Sequence, residues 1–584
     1  MVFFFEDSGN GRPLARFVRG GGAPPWADLI IFLLLAAAAV LVFHGGEQMG
    51  APLAQLKSAP VTLDPARLPE YALRTTLRMF AALGASLLFT FVVATLAAKS
   101  RKAELVIIPA LDILQSVPVL GFLTFTVTLF MGLFPGKQLG VECAAIFAIF
   151  TSQAWNMAFS FYQSLRTVPN DLDEVARQFV FSPWRRFVRL ELPFAIPGLV
   201  WNMMMSMSGG WFFVVASEAI TVGDTTVTLP GIGSWLALAI AREDFGAIGI
   251  AVAAMAVVIL LYDQLVFRPI VAWADKFRFE QTASQNRPRS WLYDLVRRTR
   301  IIGRLFTALG KVFQPVAASR LPKLAVPRQV HVGQTGGRVL DALWIALVIA
   351  GVLGSAWILF DFIARHLTWN DAVTTFGLGL VTMLRVAVLI AIASLIWVPI
   401  GVWIGLRPAW AERLQPLAQF LAAFPANVLF PVAVIGILAF DLNPDIWLSP
   451  LMVLGTQWYI LFNVIAGASA IPTDMKEAAG IFGIRGWQWW RQVILPGIFP
   501  YYVTGALTAS GGSWNASIVA EAVSWGDRHL EAHGLGAFIA RATQEGDYPR
   551  VALGIAVMSV FVIAFNRTLW RPMYRFAERR LRLD

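Results

Sequence analysis

The chain has 584 residues, of which 57% are hydrophobic and only 14% charged. Soluble domains carry about 25% charged residues, so a soluble enzyme or binding module is excluded and an integral membrane protein is expected. The formal net charge is +11, which in a membrane protein reads as Lys and Arg retained on the cytoplasmic side rather than as a nucleic-acid surface.

In chain order, Arg12, Arg16 and Arg19 precede the run WADLIIFLLLAAAAVLVF, Trp26 to Phe43. A helix needs roughly 20 apolar residues to span the hydrocarbon core. No convincing small-residue cleavage site follows the run, so it is expected to be a retained first helix. Hydropathy places spans near 26–43, 72–97, 112–134, 141–165, 195–220 and 246–268, and a second set near 340–362, 377–405, 415–440, 447–468, 498–523 and 549–570. The expected fold is an all-α integral membrane protein of two parallel six-helix repeats, about 12 transmembrane helices in all.

Between the sets, 271–337 carries 12 Lys/Arg against 3 Asp/Glu. Its centre, WLYDLVRRTRIIGRLFTALGKVF, reads as an amphipathic helix on the anionic inner membrane surface, with a disordered basic linker as the alternative. The expected units are therefore 1–270, 271–337 and 338–584. Lys99, Arg101 and Lys102, then Arg177, Arg185, Arg186 and Arg189, then the linker all fall on one side of alternating helices. That side is expected to be the cytoplasm, with both termini there. The lone cysteine, Cys143, excludes an internal disulfide and a cysteine metal site. The five histidines show no paired spacing with acids that marks a metal.

The chain repeats itself. An offset of 303 pairs Pro169 with Pro472, Glu174 with Glu477, Trp184 with Trp487 and Leu192-Pro193 with Leu495-Pro496. It continues through Trp211 and Trp514, Glu218 and Glu521, Gly231-x-Gly233 and Gly534-x-Gly536, Asp244 and Asp547, and Arg268-Pro269 and Arg571-Pro572. An offset of 307 pairs Arg78 with Arg385 and Pro118 with Pro425. A duplicated membrane unit predicts a pseudo-two-fold axis along the membrane normal, with a pathway on it.

Each repeat carries one polar segment after its fourth span: LDEVARQFVFSPWRRFVRLELP from Leu172, and MKEAAGIFGIRGWQWWRQVILP from Met475. In the second, Thr473 or Asp474 is expected to cap a short helix over Lys476 to Ile484, ended by Gly483 or Gly486, with Pro496 marking the return to the membrane. Small residues Ala478 and Ala479 let a partner surface approach closely; the plainer alternative is a connecting surface helix.

The pattern Glu477-Ala478-Ala479, Gly483, then Val493-Ile494-Leu495-Pro496 resembles the EAA loop of binding-protein-dependent ABC importer permeases. The first copy keeps Glu174, Ala176 and Leu192-Pro193 but departs at Val175 and at Val180, where the family has glycine. Pro118, Pro425, the Gly-x-Gly pairs and Glu218 and Glu521 are most similar to the nitrate, sulfonate, taurine and bicarbonate branch. The resemblance implies a type I importer permease fold, two units fused in one chain, in a bacterial inner membrane. It implies that Glu174, Ala176, Trp184, Glu477, Ala478, Ala479, Gly483 and Trp487 belong to coupling segments seated on an ATPase. Two copies of a cytoplasmic ATPase subunit would bind ATP and Mg; a periplasmic or extracellular solute-binding protein would deliver the solute. The chain itself would hold no cofactor and do no chemistry: GLFPGKQ, Gly132 to Gln138, lacks the spacing and the Ser/Thr of a phosphate-binding loop.

Candidates for the pathway are the small polar cluster of the fifth span, Ser208, Gly209, Gly210 and Trp211 in the first half and Ser510, Gly511, Gly512, Ser513, Trp514 and Asn515 in the second. Gln153, Asn156, Gln457 and Asn463 of the fourth span join them. Close helix packing explains small residues equally well. Glu218 falls near the outer mouth, where capping a helix or pairing with an arginine is expected ahead of substrate contact; Arg78 and Arg385, near the outer ends of their spans, can attract an anion, pair with Glu218 and Glu521, or snorkel to the interface. Competing readings are an ion-coupled secondary transporter with two six-helix repeats, which needs a mid-membrane acid or base, and a membrane enzyme or scaffold, which needs a reactive constellation. Neither signature stands out.

Overall fold

A computed structural model describes residues 61–116, 123–179, 181–222, 225–277, 290–299, 334–526 and 528–580, with scattered positions between 28 and 52. The expected span at 26–43 and most of the 271–337 linker lie outside the described residues.

The first half runs α1 (Leu68–Lys99), α2 (Arg101–Ser116), α3 (Leu123–Leu133), α4 (Leu139–Arg166), the short α5 (Asn170–Gln178) and the long α6 (Pro183–Glu218). A hairpin of β1 (Ala219–Val222) and β2 (Thr225–Thr228), the short α7 (Ile232–Ala241) and α8 (Phe245–Phe277) follow. Then α9 (Trp291–Arg298) is the described part of the linker. The second half runs α10 (Gln334–His366), α11 (Trp369–Gly405), α12 (Pro408–Ala423), α13 (Ala426–Ala439), α14 (Pro444–Leu454) and α15 (Gln457–Ala470). The short α16 (Thr473–Ile481), α17 (Gly486–Ala520), the hairpin β3 (Ala522–Trp525) and β4 (Arg528–Glu531), α18 (Leu535–Glu545) and α19 (Tyr548–Ala577) complete it.

Among the described residues seven helices are long and apolar enough to cross a membrane, or eight if the bent pair α14–α15 counts as one span. Several of the spans read from hydropathy are shaped differently from regular helices. The described parts of the span at 112–134 belong to α2 and α3, and the span at 415–440 is divided between α12 and α13. The cause of the second break is Pro425: Phe424 before it is extended, because a proline disfavours helical geometry in its predecessor. The span at 447–468 bends by 44° between α14 and α15. The loops expected after the fifth spans are hairpins followed by the short apolar helices α7 and α18.

The proline of each polar segment lies within a long helix. Pro193 follows a π-turn at Phe187–Glu191 and Pro496 one at Trp490–Ile494, inside continuous helices. Pro269 and Pro572 follow π-turns at Asp263–Phe267 and Asn566–Trp570 in the same way. A proline inside a helix lacks the N–H and collides with the carbonyl four residues back; one wider turn relieves both. All four π-turns fall in pairs at the 303 offset. So do α5 and α16, the two hairpins, and the caps in which Asp244 and Asp547 accept from the backbone N–H of Ala247 and Arg550. α1 packs on α4 and α6, and α11 on α15 and α17. Buried Ala, Met and Ile fill both contacts.

Candidate functional site

At the hairpin end of each half, one arginine sits against two acids. Arg78 on α1 donates from Nε and Nη2 to Glu142 of α4, at 2.5 and 2.8 Å, and from Nη1 to Glu218 of α6 at 2.6 Å. All three side chains are fully buried. Thr75, one turn earlier on α1, donates to Glu218 Oε1 at 2.7 Å. The other carboxylate oxygen of Glu218 accepts from the Gly233 N–H at 2.7 Å, at the start of α7. A carboxylate at a helix N-terminus satisfies otherwise orphaned N–H groups and meets the positive end of the helix dipole. The glycines make room for it: a Cβ on Gly231 would collide with the Glu218 carboxylate, and one on Gly233 would approach it to 2.9 Å.

The second half repeats the arrangement. Arg385 donates to Glu521 at 3.1 Å and to Asp445 at 3.0 Å, Thr382 donates to Glu521 at 2.9 Å, and Gly536 N–H donates to Glu521 at 2.7 Å. Here the pair is wetter: Arg385 keeps 12% and Asp445 34% of its side-chain exposure. The geometry joins Arg78 to Glu218 and Arg385 to Glu521. The reading of the hydropathy missed Glu142, Asp445, Thr75 and Thr382. The signal was present: Glu142 and Asp445 stand 303 apart, and Thr75 and Thr382 stand 307 apart, as do their arginines.

Each hairpin reaches across to the other half, β3 to α7 and β1 to α18. Trp525 of β3 lies against Phe245 at 4.9 Å between ring centroids, and the Gly526 N–H donates to the Ile240 carbonyl at 3.2 Å. Gly526 has φ 55° and faces Glu243, itself at φ 53°. Left-handed backbone costs an L-residue about 1–2 kcal/mol. Gly526→Ala adds that cost and pushes Glu243 aside, so it is expected to lower the melting temperature and to raise thiol labelling of Phe245→Cys. Unchanged labelling would show the seam to be insensitive to this contact.

The small polar cluster of the fifth spans divides between two environments. Gly210 abuts Gln153 and Met79 within the first half, and Ser513 pairs with Thr456 within the second. Gln153, Ser208, Trp211, Ser510 and Trp514 are buried. Gly209 faces the other half: a Cβ there would lie 3.1 Å from the Tyr459 hydroxyl. Gly511, Gly512 and Asn515 stay half-exposed on α17, where Asn515 donates to the Gly511 carbonyl at 3.2 Å. Asn156 accepts from Gln115 at 2.7 Å, Gln457 accepts from Trp397 at 2.8 Å, and Asn463 donates to the Tyr459 carbonyl at 2.8 Å. Close packing thus uses the residues at 153, 210 and 513, while Gly209 marks where the halves touch.

At the opposite end, α5 and α16 are exposed nine-residue helices. Pro472 occupies the N-cap position of α16, one residue before the caps expected, and the helix starts and stops earlier than expected, at Thr473 and Ile481. Ala176 and Ala479 each turn inward, at 4% exposure, while Glu174, Glu477 and Ala478 face outward. Gly483 has φ 65°, and the Ile484 N–H closes back on the Ala479 carbonyl at 2.9 Å. That left-handed turn explains why a glycine stands there. The equivalent Val180 lies outside the described residues. The tips are apolar: Phe179 is 71% exposed, Ile481 84%, Phe482 79% and Trp487 71%. Trp184 is half-buried and stacks on Phe187.

A family model of the binding-protein-dependent transport system inner membrane component matches the chain twice, at 86–268 and 397–582. The chain belongs to this family of transport permease components. Both matched regions contain a complete polar segment and a carboxylate cluster, so this family member carries two permease units in one multi-pass membrane chain. Over 186 residues, 32% of this chain, it is 29% identical to the bicarbonate transport system permease protein CmpB of Synechococcus elongatus. Over 182 residues, 31% of this chain, it is 27% identical to the nitrate import permease protein NrtB of Leptolyngbya laminosa. The alignments span 64% and 62% of those relatives' lengths.

Proposed function

We propose that this permease forms the translocation pathway of an ATP-driven importer for a small oxyanion. The observation that carries the reading is the pair of exposed, apolar-tipped helices α5 and α16, held at one register by buried Ala176 and Ala479 inside two matched permease units. An exposed apolar tip on a membrane protein's polar end fits a docking contact with another protein. The partners are two copies of a cytoplasmic ATPase subunit, which bind ATP and Mg, and a solute-binding protein on the other face. The bicarbonate and nitrate relatives support a small anion as solute. The basic clusters around Lys99, Arg185 and the linker support a cytoplasmic position for α5, α16 and both termini. The elements repeated at offset 303 support two six-helix units, 1–270 and 338–584, about a common axis, in a bacterial inner membrane. Gly209, Tyr459, Gly511 and Asn515 are the pathway-facing candidates, and the Trp525–Phe245 seam closes the outer end. ATP binding draws α5 and α16 together, and the fifth spans carry that motion to the seam.

The test is uptake into vesicles loaded with ATP, with the chain, its ATPase and its binding protein present. Glu477→Ala is expected to reduce coupled ATP hydrolysis more than Glu174→Ala, because the second segment keeps the complete E-A-A and glycine pattern. Wild-type coupling in both variants would remove the role proposed for these acids.

A further inference from the structure

Behind α5 lies an unbroken chain of ion pairs that α16 does not have. Asp173 of α5 binds Arg186 at 2.7 Å, Arg186 binds Glu191 at 3.0 Å, and both oxygens of Glu191 accept from Lys99 at 2.5 Å. Glu191 lies in the π-turn of α6 and keeps only 3% of its exposure; Lys99 is the last residue of α1. The counterparts at the same offsets are Lys476, Trp489, Ile494 and Leu406. Ile494 is fully buried, and Trp489 and Leu406 pack on the apolar core. In the first half, α1 and α6 are therefore fastened by ion pairs at both ends, Lys99–Glu191 and Arg78–Glu218. In the second half, among the described residues, α11 and α17 are fastened so only at the hairpin end, by Arg385–Glu521.

We propose that Lys99 and Glu191 are positioning residues that lock the first coupling segment to α1 and α6, making it a rigid strut, while the second segment rests on a compliant apolar seat. The proposal rests on the coupling role given to α5 and α16. A buried carboxylate must keep its cation, because separation leaves an uncompensated charge. Apolar contacts are non-directional and tolerate sliding. Motion imposed on α5 must therefore move the ends of α1 and α6 with it, whereas α16 can shift against α11 before α17 follows.

The full chain in lipid nanodiscs, without ATPase, tests the asymmetry by amide hydrogen exchange. Residues 170–178 are expected to exchange at least about five-fold more slowly than 473–481, as local opening there must break the ion chain. Glu191→Gln or Lys99→Met should bring 170–178 up to the faster rate, and Lys99→Arg, which keeps the cation beside Glu191, should retain protection. Equal exchange in the wild-type chain, or neutral variants without effect, would overturn the proposal. If the neutral variants fail to fold, loss of protection in Lys99→Arg has the same force. A second arm adds the ATPase: Glu191→Gln should lower binding-protein-stimulated hydrolysis several-fold while the amount of ATPase bound stays constant. Loss of bound ATPase in that variant would contradict the positioning role. Absence of ATPase from the wild-type complex would instead sink the importer reading, leaving the exchange result to stand or fall alone.

Discussion

Arg78→Met is expected to prevent the chain from accumulating as a monodisperse membrane protein. The substitution leaves Glu142 and Glu218 without their shared guanidinium, both fully buried. Removing one partner of a buried ion pair costs about 3–5 kcal/mol, comparable to the whole stability of many domains. The damage extends beyond the pair. Glu218 caps α7 and, with Thr75, fixes where that helix starts, so the hairpin and the seam lose their anchor as well. Arg385→Met removes the equivalent contact in the second half, but Arg385 and Asp445 retain solvent, and Asp445 also accepts from the His533 N–H at 2.6 Å. A smaller loss, about 1–3 kcal/mol, is expected there. Size-exclusion profiles and melting temperatures in detergent give the comparison. Equal behaviour of the two variants would show that the difference in burial has no energetic consequence.

Placing a charge on the apolar tip of α16 is expected to abolish assembly with the ATPase while leaving the membrane domain folded. Ile481 and Phe482 are more than three-quarters exposed, so Phe482→Asp removes no internal packing and surface substitutions of this kind change stability within about 0.5 kcal/mol. In a docked interface the same carboxylate must be desolvated without a partner, and hot-spot aromatics of this type contribute about 2 kcal/mol or more. The ATPase should therefore fail to co-purify, with an unchanged melting curve for the permease. Retention of the ATPase would place the docking contact elsewhere.

The sequence carried the duplication, the polar segments and the residues of the buried clusters because each depends on identity and spacing. Glu218 and Arg78 were visible as matched positions, and capping a helix or pairing with an arginine was the expected role of Glu218, but the purpose of the Gly-x-Gly pairs was not visible. Only the fold brings Glu218 to the N-terminus of α7, 15 residues away from Gly233. The span boundaries failed for a specific reason. Hydropathy is blind to backbone direction, so it ran one span through Pro425, although that residue was singled out, and another through the 44° bend at Gly455–Thr456. At Pro193 and Pro496 the backbone does something composition does not show. Each is absorbed by a π-turn, and the helix continues through it. The asymmetry behind the coupling segments was also written in the chain, as Glu191 against Ile494. It carried no meaning until Lys99 was placed beside Glu191.

The central claim is that this chain moves a small anion only when an ATPase engages both exposed helices. Its most direct test is vesicle uptake of radiolabelled bicarbonate or nitrate with the permease, ATPase and binding protein reconstituted together. The account predicts uptake that requires ATP and is abolished by Phe482→Asp. Uptake driven by an ion gradient alone, with no ATPase in the vesicles, would contradict it.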